Sequence, residues 1–409
     1  MNFIDLLFIL ICGGMKLFSE KMLKNLAGAS GIRAMFSEGI RLSKIYGKDK
    51  VYDFSLGNPY FEPPTQVHES MKHYVSDEQK GIHKYMNNLG FDDVRENIAR
   101  TLQMQSGVEL SMNNIAMVVG AAGGLNVVLK SILNDGDEVI VFAPFFTDYK
   151  FYIDNSGGKT VIIPADTKTF EPNLEEFKKA ITDKTKAIII NTPNNPTGVV
   201  YSEAILKKMA AVIEECEVKY NTDIFVISDE PYSKIIYDNL ELPQILDIFK
   251  NGIIVTSFSK SLNIAGERIG YIAISSKIDN ANMLIDLISF SNRILGFVNA
   301  PALFQKVISD CINIEVDTSE YLNRRDILYK KLTELGYECI KPQGAFYLFP
   351  KAPIEDDAEF VKRALKYNLI FVPGSSFGCP GYFRISYCVD LQMINNSFEA
   401  LEKLTEEFK

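Results

Sequence analysis

Strand-like, mostly apolar runs of four or five residues recur along the middle of the chain, at 115–119, 138–142, 160–164, 186–190, 224–228, 253–256 and 271–274, separated by helical patterns or turns. That alternation predicts an α/β fold with a largely parallel central sheet covered by helices on both faces. After about residue 295 the pattern changes. Long helical stretches give way to strand-like runs at 346–349 and 383–389, and an amphipathic helix is expected over 392–408. The chain therefore reads as an N-terminal arm with part of a small domain (1–62), a large domain (63–295) and the rest of a smaller α+β domain (296–409). The sequence contains no repeats, low-complexity tracts or flexible linkers.

The ends of these runs carry the chemistry. After the run at 253–256 stands Ser257-Phe258-Ser259-Lys260, followed by Gly266, Arg268 and Gly270. A lysine among small hydroxyl residues can hold an aldehyde as a Schiff base, and an arginine behind a glycine-bearing turn can clamp a phosphate. The pair points to pyridoxal phosphate. Asp229 ends the run at 224–228, with Tyr232 three residues on; a carboxylate there can pair with a protonated ring nitrogen and a phenol can donate to a ring oxygen. Asn191-Thr192-Pro193-Asn194-Asn195-Pro196-Thr197-Gly198 stops another run sharply and displays amide side chains at the carboxyl end of the strand, where open α/β sheets bind ligands. Gly120-Ala121-Ala122-Gly123-Gly124 precedes a helical pattern at 125–133, so backbone N–H groups can approach an anion there. The Lys-Ser/Thr ending of a nucleotide loop is missing, which implies a phosphate without a nucleotide.

With these motifs in this order, the chain resembles the class I/II aminotransferases of the fold-type I pyridoxal-phosphate enzymes over about 55–386, most of all the bacterial aspartate aminotransferase type. The resemblance implies a pyridoxal-phosphate-binding large domain and ping-pong transamination between an L-amino acid and a 2-oxo acid. Lys260 then matches the Schiff-base lysine that moves the α-proton, Asp229 the ring-nitrogen partner, and Tyr232 and Asn195 the donors to the ring hydroxyl oxygen. Ala121, Ala122, Ser257 and Arg268 match the phosphate cup, and Phe146 the stacking aromatic. Tyr85 matches the tyrosine that reaches the phosphate of a neighbouring subunit, which implies a homodimer. Gly57, Asn195 and Arg384 match the contacts of the substrate carboxylate. A planar guanidinium suits that two-pronged geometry better than an ammonium.

Aspartate is the first expectation for the substrate. Dicarboxylate-specific relatives place a second arginine five residues before an asparagine resembling Asn299; here that position is Ile294, with Arg293 one place earlier. Alanine or an aromatic amino acid therefore stays open, as does lyase or decarboxylase chemistry on the same residues.

Composition narrows the partners. At 409 residues, 47% hydrophobic and 23% charged, the chain can bury a large core, while a net charge of −9 argues against nucleic-acid binding. Cys12, Cys216, Cys311, Cys339, Cys379 and Cys388 show neither close pairing nor metal-ligand spacing, and His68, His73 and His83 lie in one stretch, so reduced cytoplasmic thiols and no metal are expected. The apolar stretch 3–12 is too short to span a bilayer and lacks basic residues before it; it reads as a packing arm, or as sequence upstream of a true start at Met15.

Overall fold

A computed structural model describes residues 18–28, 30–76 and 81–409, so the stretch 3–12, Cys12 and Met15 lie outside the described residues. In chain order the strands are β1 (Tyr52–Asp53), β2 (Ile115–Val118), β3 (Glu138–Phe142), β4 (Lys159–Ile163), β5 (Thr185–Asn191), β6 (Phe225–Asp229), β7 (Gly252–Ser257), β8 (Gly270–Ile274), β9 (Tyr347–Leu348), β10 (Leu369–Ile370), β11 (Val372–Pro373) and β12 (Phe383–Ser386). The central sheet has seven of them in the order β2-β8-β7-β6-β5-β3-β4.

Neighbours from β4 to β7 run parallel, as expected, whereas β8 is antiparallel to both β7 and β2. A parallel return needs a long crossover, usually a helix. Between β7 and β8 the chain makes only the one-turn helix Phe258–Ser261 and the turn at Ala265–Glu267, so β8 comes straight back along β7.

The apolar runs sort their side chains by alternation. Ile140, Phe142, Ile188, Ile190, Val226 and Ile254 enter one core, while Val139, Val141, Ala187, Ile189, Ile227, Ile253 and Val255 enter the core on the opposite face. Each fully buried aliphatic side chain contributes about 1.5–3 kcal/mol through area removed from water, so layers on both faces are what hold these strands. The second face is covered by helices α1 (Gly120–Ile132) and α2 (Ala281–Ile294), through Leu125, Val128 and Leu129 and through Leu284, Ile285 and Ile288. Helix α1 starts five residues earlier than its apolar pattern does. Its small residues let it settle on the sheet: a Cβ on Gly124 would stand 2.6 Å from Val255 Cγ1.

A second assembly forms around β9, β11 and β12, which make an antiparallel sheet, and the parallel pair β1–β10, which ties 52–53 to 369–370. Its core joins Phe54, Tyr232, Ile235, Tyr237, Phe346, Phe360, Phe383 and Leu404. Two expectations are corrected here. The strand at 383–389 ends at Ser386, and the helix over 392–408 is two helices, Leu391–Asn396 and Phe398–Glu406. The break is at Ser397, whose amide donates to Met393 O (3.0 Å) and Ile394 O (3.2 Å) while its hydroxyl also donates to Ile394 O (2.7 Å). Buried Ile394, Leu401 and Leu404 keep the apolar stripe continuous across the break, which is why the pattern hides it.

Candidate active site

Parallel pairing brings the carboxyl ends of β5, β6 and β7 level with one another. Asn191 stands beside Asp229, and Asp229 beside Val255, two residues before Ser257. Asn191 fastens the loop after β5: its amide donates to Asp229 O (2.8 Å), and its oxygen accepts from Asn195 N (2.7 Å). Asn194 closes the same loop by accepting from Thr197 N (3.1 Å) and Thr197 Oγ1 (2.9 Å). A cavity opens over these strand ends, lined by Ala121, Ala122, Leu125, Phe146, Tyr152, Asn191, Asn195, Asp229, Pro231 and Tyr232. Six of the residues expected from sequence thus face one space.

Asp229 is buried, and burial pushes its carboxyl up to about 7 although the Tyr149 hydroxyl donates to its Oδ2 at 2.5 Å. Its other oxygen, Oδ1, is buried with no hydrogen-bond partner among the described residues. Buried acceptors are rarely left unpaired. Tyr149 also meets the edge of Phe146, with ring centroids 5.6 Å apart.

Lys260 sits in the one-turn helix capped by Ser257, whose hydroxyl accepts from Ser259 N (3.1 Å). Its Nζ donates to Gly57 O at 2.6 Å. Burial lowers this amine to about 8, with the positive charges of Arg268 and Arg384 acting in the same direction. Arg268 adopts a left-handed backbone (φ 53°) and donates from Nη1 to Ser259 Oγ (3.2 Å) and Ala265 O (3.1 Å). Its guanidinium lies against the first turn of α1, where a Cβ on Gly120 would stand 2.6 Å from Nη2. Ser259 links Ser257 to Arg268, its hydroxyl 2.6 Å from that of Ser257, while Gly120, next in sequence to Ala121, brings the helix start against the same guanidinium.

Arg384, on β12 opposite Val372, is 3% exposed. It donates from Nη1 to Asn195 Oδ1 (2.9 Å) and from Nη2 to Ser55 O (2.5 Å), and its Nε is buried without a partner among the described residues. The rings of Tyr347 and Phe377 flank it, at 4.7 and 4.9 Å from the guanidinium carbon. Gly57 lies beside it in the chain segment that passes over Tyr347; a Cβ there would overlap the Tyr347 hydroxyl. Tyr232 is buried and its hydroxyl is 2.7 Å from that of Tyr347.

Tyr85 does not line this cavity and is 93% exposed. Arg293 and Ile294 stand at the end of α2, with Ile294 51% exposed and the Arg293 guanidinium over the ring of its own neighbour Phe290 (5.2 Å). Sequence reasoning did not single out Tyr149, Ser259 or Tyr347. Ser259 falls inside the Ser257–Lys260 motif, and Tyr149 lies three residues after Phe146, a spacing that a helix start brings to the same side. Tyr347 carried no signal beyond an aromatic strand. Among the described residues no cluster of His, Cys, Asp and Glu could hold a metal, and no helix is long and apolar enough to cross a membrane.

The family model described as aminotransferase class I and II matches residues 49–401. An aspartate aminotransferase of Pyrococcus abyssi is 33% identical over 375 residues, covering 89% of this chain and 94% of that protein. An aromatic-amino-acid aminotransferase of Thermococcus litoralis is 29% identical with the same coverage, 89% and 94%. A solved amino transferase from Eubacterium rectale superposes with a TM-score of 0.93 at 37% identity, over 96% of this chain and 99% of that one.

Proposed function

The chain belongs to the class I and II aminotransferases, and from that premise we propose that it holds pyridoxal phosphate over the ends of β5–β7 and moves an amino group from aspartate to a 2-oxo acid. The observation that carries this is a complementary pair of buried orphans, the acceptor Asp229 Oδ1 and the donor Arg384 Nε. A protonated ring nitrogen would satisfy the first and a substrate carboxylate the second. The amino end of α1, with Gly120 opened toward Arg268, has the donors and positive charge that a phosphate dianion requires. The residues present therefore fit the cofactor.

When bound, pyridoxal phosphate supplies a carbonyl that condenses with amines and a ring that delocalises negative charge. Lys260 is suited to attack that carbonyl because an amine lowered to about 8 is partly neutral at physiological pH. With a substrate amine in its place, the same Nζ would take the substrate's α-proton and deliver it to the cofactor's aldehyde carbon, acting as base and then acid. Asp229 holds a proton at the ring nitrogen. A cationic partner on Oδ1 would offset the burial that now raises its carboxyl, and keep it charged. Tyr232 and Asn195 donate to the ring oxygen; Asn195 is oriented for this because its own Oδ1 is taken by Arg384. Arg384 grips the carboxylate inside an apolar, aromatic surround, where an ion pair is strong.

The name of the Thermococcus litoralis relative supports a second substrate reading, an aromatic amino acid, and Ile294 at the position of the second arginine favours it. A second copy of the chain completes the assembly in our reading. Met283, Leu287, Phe290 and Ile294 expose an apolar stripe along α2, and the exposed Tyr85 would serve the phosphate of that partner.

The test mixes holoenzyme with single amino acids and follows the absorbance of the lysine-bound cofactor. Stoichiometric loss with aspartate or an aromatic amino acid, and recovery with a 2-oxo acid, is expected; release of ammonia or carbon dioxide instead would replace the transfer by lyase or decarboxylase chemistry. Borohydride reduction and peptide mapping should place the cofactor on Lys260, and Lys260→Ala should lower turnover by about 10⁴-fold or more while keeping the fold.

A further inference from the structure

Tyr232 has one hydroxyl proton, and the function proposed above needs that proton at the ring oxygen. Along the 2.7 Å line to Tyr347 only one of the two phenols can donate. With Tyr232 donating into the site, Tyr347 must be the donor on that line. The face of the Tyr347 ring meanwhile carries the Arg384 guanidinium at 4.7 Å. We propose that Tyr347 is a positioning residue that relays occupancy of the carboxylate site at Arg384 to the Tyr232 hydroxyl, and through it to the proton balance of the cofactor. The inference rests on the roles given to Tyr232 and Arg384 above.

Burial and close packing make the relay tight. Tyr347 is 2% exposed and Tyr232 5% exposed, so neither phenol can turn to solvent for a substitute partner. The segment at Gly57 closes over the Tyr347 hydroxyl, leaving no room for a side chain between them. Arg384 meets neutral oxygens at Asn195 and Ser55, so its charge acts on the Tyr347 ring until a carboxylate arrives. Burial raises the Tyr347 phenol to about 12, and Arg384 opposes that rise.

The sign follows from this arrangement. A carboxylate on Arg384 screens the cation, and Tyr347 becomes a weaker donor. Tyr232 is then the weaker donor in turn, the ring oxygen retains more negative charge, and a proton on the nitrogen beside it is held to higher pH. Substrate binding would thereby prepare the protonated state that the exchange of amines requires.

The test is a spectroscopic pH titration of the holoenzyme, alone and with maleate or 3-phenylpropionate, carboxylates that lack an amine. In the unaltered protein, carboxylate should raise the midpoint. Tyr347→Phe keeps the ring against Arg384 and Gly57; it should raise the carboxylate-free midpoint by roughly 0.7 of a pH unit, the size of one buried hydrogen bond, and shrink the carboxylate-induced rise. Adding Tyr347→Phe to Tyr232→Phe should change nothing further. Unchanged midpoints in Tyr347→Phe, or an equal shift without the Tyr232 hydroxyl, would overturn the relay. If Tyr347→Phe does not fold, 3-fluorotyrosine at 347, a stronger donor of nearly the same shape, should lower the midpoint, and failure to do so also overturns it. A protein that never acquires the absorbance band would instead overturn the cofactor reading.

Discussion

The Asp229 end of the site and the Arg384 end are assembled in opposite ways. Asp229, Asn191 and Ser257 come from the adjacent ends of β5, β6 and β7, held level by backbone pairing inside a sheet covered on both faces. Arg384 comes from β12, and its neighbours Ser55, Asn195, Tyr347 and Phe377 lie far apart in the chain. One end inherits its geometry from strand register, which is stiff and local. The other gathers it from five segments that must all arrive. In an aminotransferase the first would govern the electronics of the bound ring, and the second the grip on the carboxylate that every amino-acid substrate presents.

The sharpest way to break that contrast is Asp229→Asn. An amide cannot hold a charge-assisted proton at a ring nitrogen, so kcat should fall by about 10³-fold for all amino acids alike, with cofactor retained through the phosphate contacts. Recovery of full rate on adding excess cofactor would show that Asp229 serves retention only. Arg384→Ala comes next. Removing the guanidinium should lower kcat/KM by about 10²–10³-fold for aspartate, alanine and phenylalanine to a similar degree, since each presents the same carboxylate. A loss confined to one substrate would place the carboxylate elsewhere.

Two smaller effects sharpen the comparison. The lowered Lys260 amine lies between the two ends, and its neutral form is the reactive one. Cofactor uptake by the cofactor-free protein should therefore rise about tenfold per pH unit below 8 and level off above it, where an unperturbed lysine would keep rising toward 10.5. Stopped-flow absorbance from pH 6 to 10 reads this directly. The smallest effect is expected from Arg293→Ala, less than about threefold for alanine or phenylalanine, because the side chain lies on its own helix over Phe290. A large loss with aspartate alone would mean that a partner subunit redirects it into the site.

The same contrast explains what the sequence could show. Lys260, Asp229 and Asn195 were legible because a short apolar run followed by a polar motif projects its last residues to one edge of a parallel sheet. Tyr149 and Tyr347 were not, since their partners Asp229 and Tyr232 lie 80 and 115 residues away and only packing brings them together. The reversal of β8 was hidden for a related reason: a buried strand has the same apolar composition in either direction. Ser397 breaks the last helix through its own backbone and hydroxyl bonds without disturbing the apolar stripe, so periodicity alone runs past it.

Gly57 and Tyr347 impose an order on change. Even the smallest side chain at 57 would press on the Tyr347 ring carbons, at 2.8 and 2.9 Å from Cζ and Cε1, as well as on its hydroxyl. Removing the hydroxyl alone does not make room; the ring must go first. A library randomised at 57 alone should return glycine, while one randomised at 57 and 347 together should return enlarged residues at 57 only beside small ones at 347. Any lineage that reshapes this corner must therefore cross a stage in which 347 has already lost its aromatic side chain and 57 is still glycine.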